Sequence, residues 1–112
     1  MGIREAMQRK VQRVVDPGEQ VHACFPAAGH NPLQSHKPPQ YIVAVTNRSI
    51  RIYASKWWRS SPKELIQVSP HQWLAEPSAL AHAQIEIGGR PLWVEKKFHP
   101  DVGHANERMR LA

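Results

Sequence analysis

Residues Tyr41 to Tyr53 read Tyr-Ile-Val-Ala-Val-Thr-Asn-Arg-Ser-Ile-Arg-Ile-Tyr, two β-rich runs separated by a short polar turn. β-Branched and aromatic side chains dominate both runs, and such residues fit the pleated surface of a sheet. A tight turn between antiparallel strands favours residues that tolerate positive φ, and Asn47 is placed to supply one. In the second run Ile50, Ile52 and Ala54 alternate with Arg51 and Tyr53, so one face is apolar and the other polar. A hairpin therefore stands near the middle of the chain, and a small β domain is expected around it.

The flanking segments extend this order. Ile3, Met7, Val11 and Val14 recur at helical spacing among Arg4, Arg9, Lys10 and Arg13, which predicts an amphipathic helix over residues 1–16. Asp16-Pro17-Gly18 ends it, because proline disfavours helix in the residue before it and glycine permits the turn. Residues 17–112 then form the β domain. Gln20 to Phe25 reads as a first strand, and the proline-rich stretch Pro26 to Gln40 as a loop. After the hairpin, Lys56 to Lys63 is a second loop and Glu64 to Ser69 a fourth strand, stopped by Pro70. His71 to Ser78 is irregular, with Trp73 and Leu74 as plugs for the core. Leu80 to Ile87, the turn Gly88-Gly89 and Arg90 to Lys96 predict a closing hairpin, with Ala83, Ile85, Ile87, Leu92 and Val94 inward. A last helix opens at Pro100 and Asp101, where a missing amide is no loss and a carboxylate meets the positive end of the dipole. Its apolar stripe is Val102, Ala105 and Met109.

A chain of 112 residues fits one domain. No apolar run approaches the about 20 residues that span a bilayer, and no secretory h-region stands at the N-terminus. The single cysteine, Cys24, excludes an internal disulfide and fits a reducing compartment, so a cytoplasmic location is expected. The net charge of +6 is unevenly spread: Gln40 to Lys63 holds Arg48, Arg51, Lys56, Arg59 and Lys63 with no acid. Such a segment attracts phosphate, lipid head groups or an acidic protein, or is simply a solvated positive face.

Four phrases, in order, resemble the bacterial pleckstrin-homology-like domains, in particular the small single-domain proteins of actinobacteria. They are Pro17-Gly18-Glu19-Gln20-Val21, Val45-Thr46-Asn47-Arg48-Ser49-Ile50, Ala54-Ser55-Lys56-Trp57 running to Pro62-Lys63, and Ile87-Gly88-Gly89-Arg90 leading through Leu92-Trp93-Val94 to Phe98-His99-Pro100-Asp101-Val102. The resemblance covers nearly everything from Asp16 onward. It implies a strongly bent antiparallel sheet or split barrel with a C-terminal capping helix, and a scaffold that binds proteins, peptides or lipids. The sequence departs from the family at Asn47, where related chains usually carry Asp, and in showing six strands where a full domain has seven.

Chemistry-bearing constellations are few. Seven histidines are scattered, and His99 and His104, the pair nearest in sequence, stand five apart, unlike the i, i+4 pair of a zinc helix. His22 and Cys24 could share one side of a strand, but a structural zinc takes four ligands and no Cys-x-x-Cys is present. Cys24 in a strand reads as a small buried apolar residue rather than a nucleophile. No serine elbow, P-loop or paired carboxylate appears. The expectation is a protein that is not an enzyme, with no metal and no cofactor.

The segment with content is Arg48, Arg51, Lys56, Trp57, Trp58, Arg59 and Lys63. Neighbouring side chains of an extended segment point opposite ways, so at most one of Trp57 and Trp58 enters the core. An exposed tryptophan among cations suits a protein hot spot, a membrane interface or a base-stacking platform; the alternative is that both rings cover the end of the barrel. The first expectation is a non-catalytic module acting through protein contacts, with a homo-oligomer among them. The second is attachment to anionic lipid at the inner face of the membrane, and nucleic acid ranks third because no stacking array accompanies the cations.

Overall fold

The computed structural model describes residues 3–31, 33, 38–55, 61–74 and 82–111. Helix α1 (Ile3–Gln12) is followed by six strands: β1 (Val21–Ala28), β2 (Gln40–Thr46), β3 (Ile50–Ser55), β4 (Pro62–Ser69), β5 (His82–Ile87) and β6 (Arg90–Glu95). A short 3-10 turn (Lys96–Phe98) leads into helix α2 (His99–Leu111). The strands form one antiparallel sheet in the order β4-β3-β2-β1-β6-β5. The protein is thus mainly β, a curled half-barrel with one helix from each end of the chain.

Both faces of the sheet's centre are buried. On the inner face Ala23, Phe25 and Ala27 of β1, Val43 and Val45 of β2, and Ile50 and Ile52 of β3 meet Ile85, Ile87, Leu92 and Val94 of the last hairpin. Leu74, Phe98, and Val102 and Ala105 of α2 close this core, with Met109 packed at its margin. On the outer face Val21, Cys24, Ile42, Ala44 and Tyr53 lie under Met7 and Val11 of α1. The register explains how β1 serves both. Val21 pairs with Thr46 and Ala23 with Val45, so His22 is an extra residue in β1. This bulge turns Val21 to the outer face while Ala23 stays on the inner one.

The helix stripe therefore lies on the sheet, as Met7 and Val11 predict, but Val15 continues it and Val14 is exposed. Polar groups fix its position: Gln12 donates to Glu19 O (2.9 Å) and accepts from Val21 N (2.9 Å), and Arg4 pairs with Asp101 at 3.0 Å.

Several local expectations are corrected. Asn47 does not supply a positive φ, since every positive φ among the described residues belongs to glycine. Instead its side-chain oxygen accepts from Gln20 N (2.8 Å) and its amide donates to Gln20 O (3.0 Å), so it stitches the turn to the start of β1. β1 continues through Pro26 to Ala28, with Pro26 opposite Ile42. A proline reads as a strand end because it lacks a ladder donor, yet the β6 side of β1 has only the register pair Ala28↔Trp93. Trp73 is 65% exposed and plugs nothing, whereas Leu74 beside it is fully buried. β4 begins at Pro62, two residues earlier than expected. Leu80 and the Ala83 side chain lie outside the described residues.

The sheet curls until β4 meets the last hairpin. Gln67 of β4 donates to Ile87 O (2.9 Å) and accepts from Arg90 Nε (2.9 Å). Gly88 and Gly89 make the turn with φ of +56° and +85°, a combination suited to the right-handed twist of a hairpin. A Cβ on Gly88 would lie 2.6 Å from both Gln67 Nε2 and Ser69 Oγ, whereas one on Gly89 meets nothing within 4 Å. Gly89→Ala should cost about 1–2 kcal/mol for the left-handed backbone alone. Gly88→Ala should cost more, because its Cβ also collides with the Gln67 and Ser69 side chains of β4; urea unfolding of the two variants compares them.

Candidate functional site

The basic segment singled out in the sequence does not form one exposed face among the described residues. Lys56, Trp57, Trp58 and Arg59 lie outside those residues. Arg48 is exposed in the β2–β3 turn, its guanidinium against Gly18. Lys63 is exposed on β4 near the other end of β3, between the pairs Tyr53↔Leu65 and Ser55↔Pro62, roughly 15 Å from Arg48 by strand rise.

Arg51 is not a surface cation. It is 7% exposed, on the outer face of the sheet. Alternation correctly sets Arg51 and Tyr53 opposite Ile50 and Ile52, but that face is covered. Arg51 Nη2 pairs with Glu19 Oε1 at 2.9 Å and with Asp16 Oδ2 at 2.9 Å, and its Nε donates to Glu19 Oε2 at 3.2 Å. Glu19 is itself 4% exposed and also accepts from Thr46 Oγ1 and from Ser49 Oγ (2.7 Å). Burial alone would raise the Glu19 carboxyl, but the hydrogen bonds from Arg51, Thr46 and Ser49 outweigh it and hold the group below its ordinary value. The Arg51 guanidinium is correspondingly held in its charged form by Glu19. Sequence reasoning missed this pair because Glu19 and Arg51 are 32 residues apart, and only the β1–β2–β3 register brings them together.

The uncovered apolar surface lies on β4. Ile52 pairs with Gln67, Tyr53 with Leu65 and Ser55 with Pro62, so β4 carries an extra residue twice along its length. Leu65 and Val68 share the outer face, opposite Tyr53 and Arg51, and Ile66 stands at a bulge between them. Leu65 is 43%, Ile66 38% and Val68 52% exposed. Lys63 and Glu64 precede them and are also exposed. Sequence spacing held this signal: Leu-Ile-Gln-Val after a loop breaks strict alternation, so not every apolar residue can face the core.

A second surface feature is an open groove of about 300 Å³ lined by His71, Gln72, Trp73, Asn106, Met109 and Arg110. Asn106 is buried there because it grips Leu74, accepting from its amide at 2.8 Å and donating to its carbonyl at 2.7 Å.

Cys24 is 5% exposed beneath α1, and its thiol is pushed up to about 12, first by burial and then by the charge of Asp101. The thiolate is the reactive species. Iodoacetamide at pH 8 should therefore leave native Cys24 unmodified, with labelling appearing only as urea unfolds the chain. No three His, Cys, Asp or Glu side chains among the described residues are grouped to hold a metal, and none of the described helices is long and apolar enough to cross a membrane.

No protein-family model matches the chain, and neither a curated protein nor a solved structure matches it.

Proposed function

We propose that the chain is a non-catalytic, pleckstrin-homology-like binding module that works through protein contacts. Its contact surface is the outer face of β4, and its partner is a second copy of the chain. The observation that carries this is the row Leu65, Ile66 and Val68, three large aliphatic side chains left in water on an edge strand. Contiguous exposed apolar surface marks interaction sites. The two bulges twist this edge and blunt it as a template for an added strand. Contact is therefore through side chains rather than a continued backbone ladder.

A second copy fits the chemistry. A two-fold axis brings the same patch together from both sides. Antiparallel placement sets Leu65 and Val68 of each copy against one another and moves the two Lys63–Glu64 ends apart, so no like charges meet.

Capture with tagged protein tests the class of partner. The wild type should retain protein, and Leu65→Glu with Val68→Glu should lose it; both side chains are exposed, so the fold should survive. If both baits instead recover the same anionic lipid or nucleic acid, and high salt releases it, attachment through the cations replaces this reading.

A further inference from the structure

We propose that His22, His71, His104 and Arg108 form a binding site for a phosphate group. Three elements meet at the bulge of β1. His22 is the bulged residue, and Thr46 pairs with its neighbour Val21. His71 Nε2 lies 2.8 Å from the Thr46 carbonyl oxygen, which brings the 71–74 segment to the same place. That segment is tied to α2 by the two Asn106–Leu74 hydrogen bonds. α2 itself packs on β1, and its His104 and Arg108, four residues apart, share one exposed face.

Two features ask for an anion. His22 Nδ1 is shut off from solvent and has no hydrogen-bond partner among the described residues, and an unsatisfied buried ring nitrogen calls for an explanation. Among the described residues, the charges that act on it are also all of one sign, and Glu107 beside Arg108 is engaged by Arg110. Burial holds the His22 imidazole below its ordinary value, and the charges of Arg108, His71 and His104 act in the same direction. On the α1 side the groups at Val21 are the neutral amides of Gln8 and Gln12. The carboxylate of Glu19 is already engaged by Arg51, Thr46 and Ser49. A phosphate group would supply the missing counter-charge and several acceptor oxygens to donors arriving from different sides.

Protonation and binding are then linked. An anion that favours the charged imidazole must bind more tightly where that imidazole is charged. The imidazole to follow is that of His22, whose charged form a bound phosphate favours and a neighbouring cation disfavours. Histidine resonances followed by NMR during titration with inorganic phosphate test this, with sodium chloride at matched ionic strength as the control. His22 should shift saturably, and its titration midpoint should rise with phosphate. The double variant His104→Ala, Arg108→Ala removes two exposed side chains and should lower affinity about tenfold or more. Vesicles containing phosphatidic acid distinguish the source. Co-sedimentation lost in the same double variant marks a lipid head group, and phosphate binding without co-sedimentation marks a soluble phosphate. Equal shifts from chloride, no saturation, or unchanged affinity in the double variant would overturn the site.

Discussion

Glu19→Ala is expected to cost about 3–5 kcal/mol, because it leaves the Arg51 guanidinium buried without its counter-ion. Domains of this size are stable by only about 5–15 kcal/mol, so the loss is a large share of the total. Asp16 will not compensate. Its side chain is 68% exposed, and an ion pair open to water contributes about 0–1 kcal/mol. Glu19 also holds Thr46 and Ser49 at the β2–β3 turn, so the variant should loosen the hairpin as well as the ion pair. The pH dependence follows from the same bonds. The folded carboxyl titrates below its ordinary value of 4.5. Its contribution is therefore present above pH 4.5 and is lost as pH falls through the lower, folded value. In urea unfolding the wild type should lose stability on acidification in that range, and Glu19→Ala should lose less. Replacing both partners, Glu19→Leu with Arg51→Met, should be milder than either single change, since no charge is then stranded. Equal stability of wild type and Glu19→Ala at pH 7 would show that the pair contributes nothing.

Phe25→Ala should also cost about 3–5 kcal/mol. Phe25 is fully buried at the centre of the inner face, where both long hairpins and α2 converge. No neighbour can collapse into the space without leaving the sheet or the helix, so the cavity cost adds to the lost transfer energy. Trp73→Ala is the matching control. Trp73 is a larger side chain, but it is 65% exposed, and its removal should stay within about 0.5 kcal/mol. The reverse order in thermal unfolding would place the core elsewhere.

These two cases show what was legible in the sequence. Period-two alternation fixes which side chains of a strand share a face, and Ile50, Ile52, Leu92 and Val94 fall inside as alternation requires. Helical spacing likewise placed Met7, Val11, Val102 and Ala105. Alternation does not reveal whether the second face is covered. Arg51 and Tyr53 looked like a polar outer face, and they are buried because α1 and the Asp16–Glu19 segment fold over them. A charge seen in sequence becomes a surface charge only when its long-range neighbours are known. Bulges were hidden for a related reason: an extra residue at His22 or Ile66 is defined by the partner strand's register. The exposed patch on β4 is a mixed case: the spacing of Leu65, Ile66 and Val68 shows that not all of them can face the core, but the edge position and the two register shifts that leave them in water depend on the partner strand.

Sedimentation velocity from about 1 to 200 μM tests the β4 contact surface most directly, a range that covers dissociation constants from about 1 μM to about 0.2 mM. The wild type should move from monomer towards dimer as concentration rises. Leu65→Glu with Val68→Glu should remain monomeric throughout while keeping the wild-type unfolding curve. A wild type that stays monomeric at every concentration, or a double variant that associates equally well, would contradict the assignment of β4 as the surface through which this protein meets its own copy.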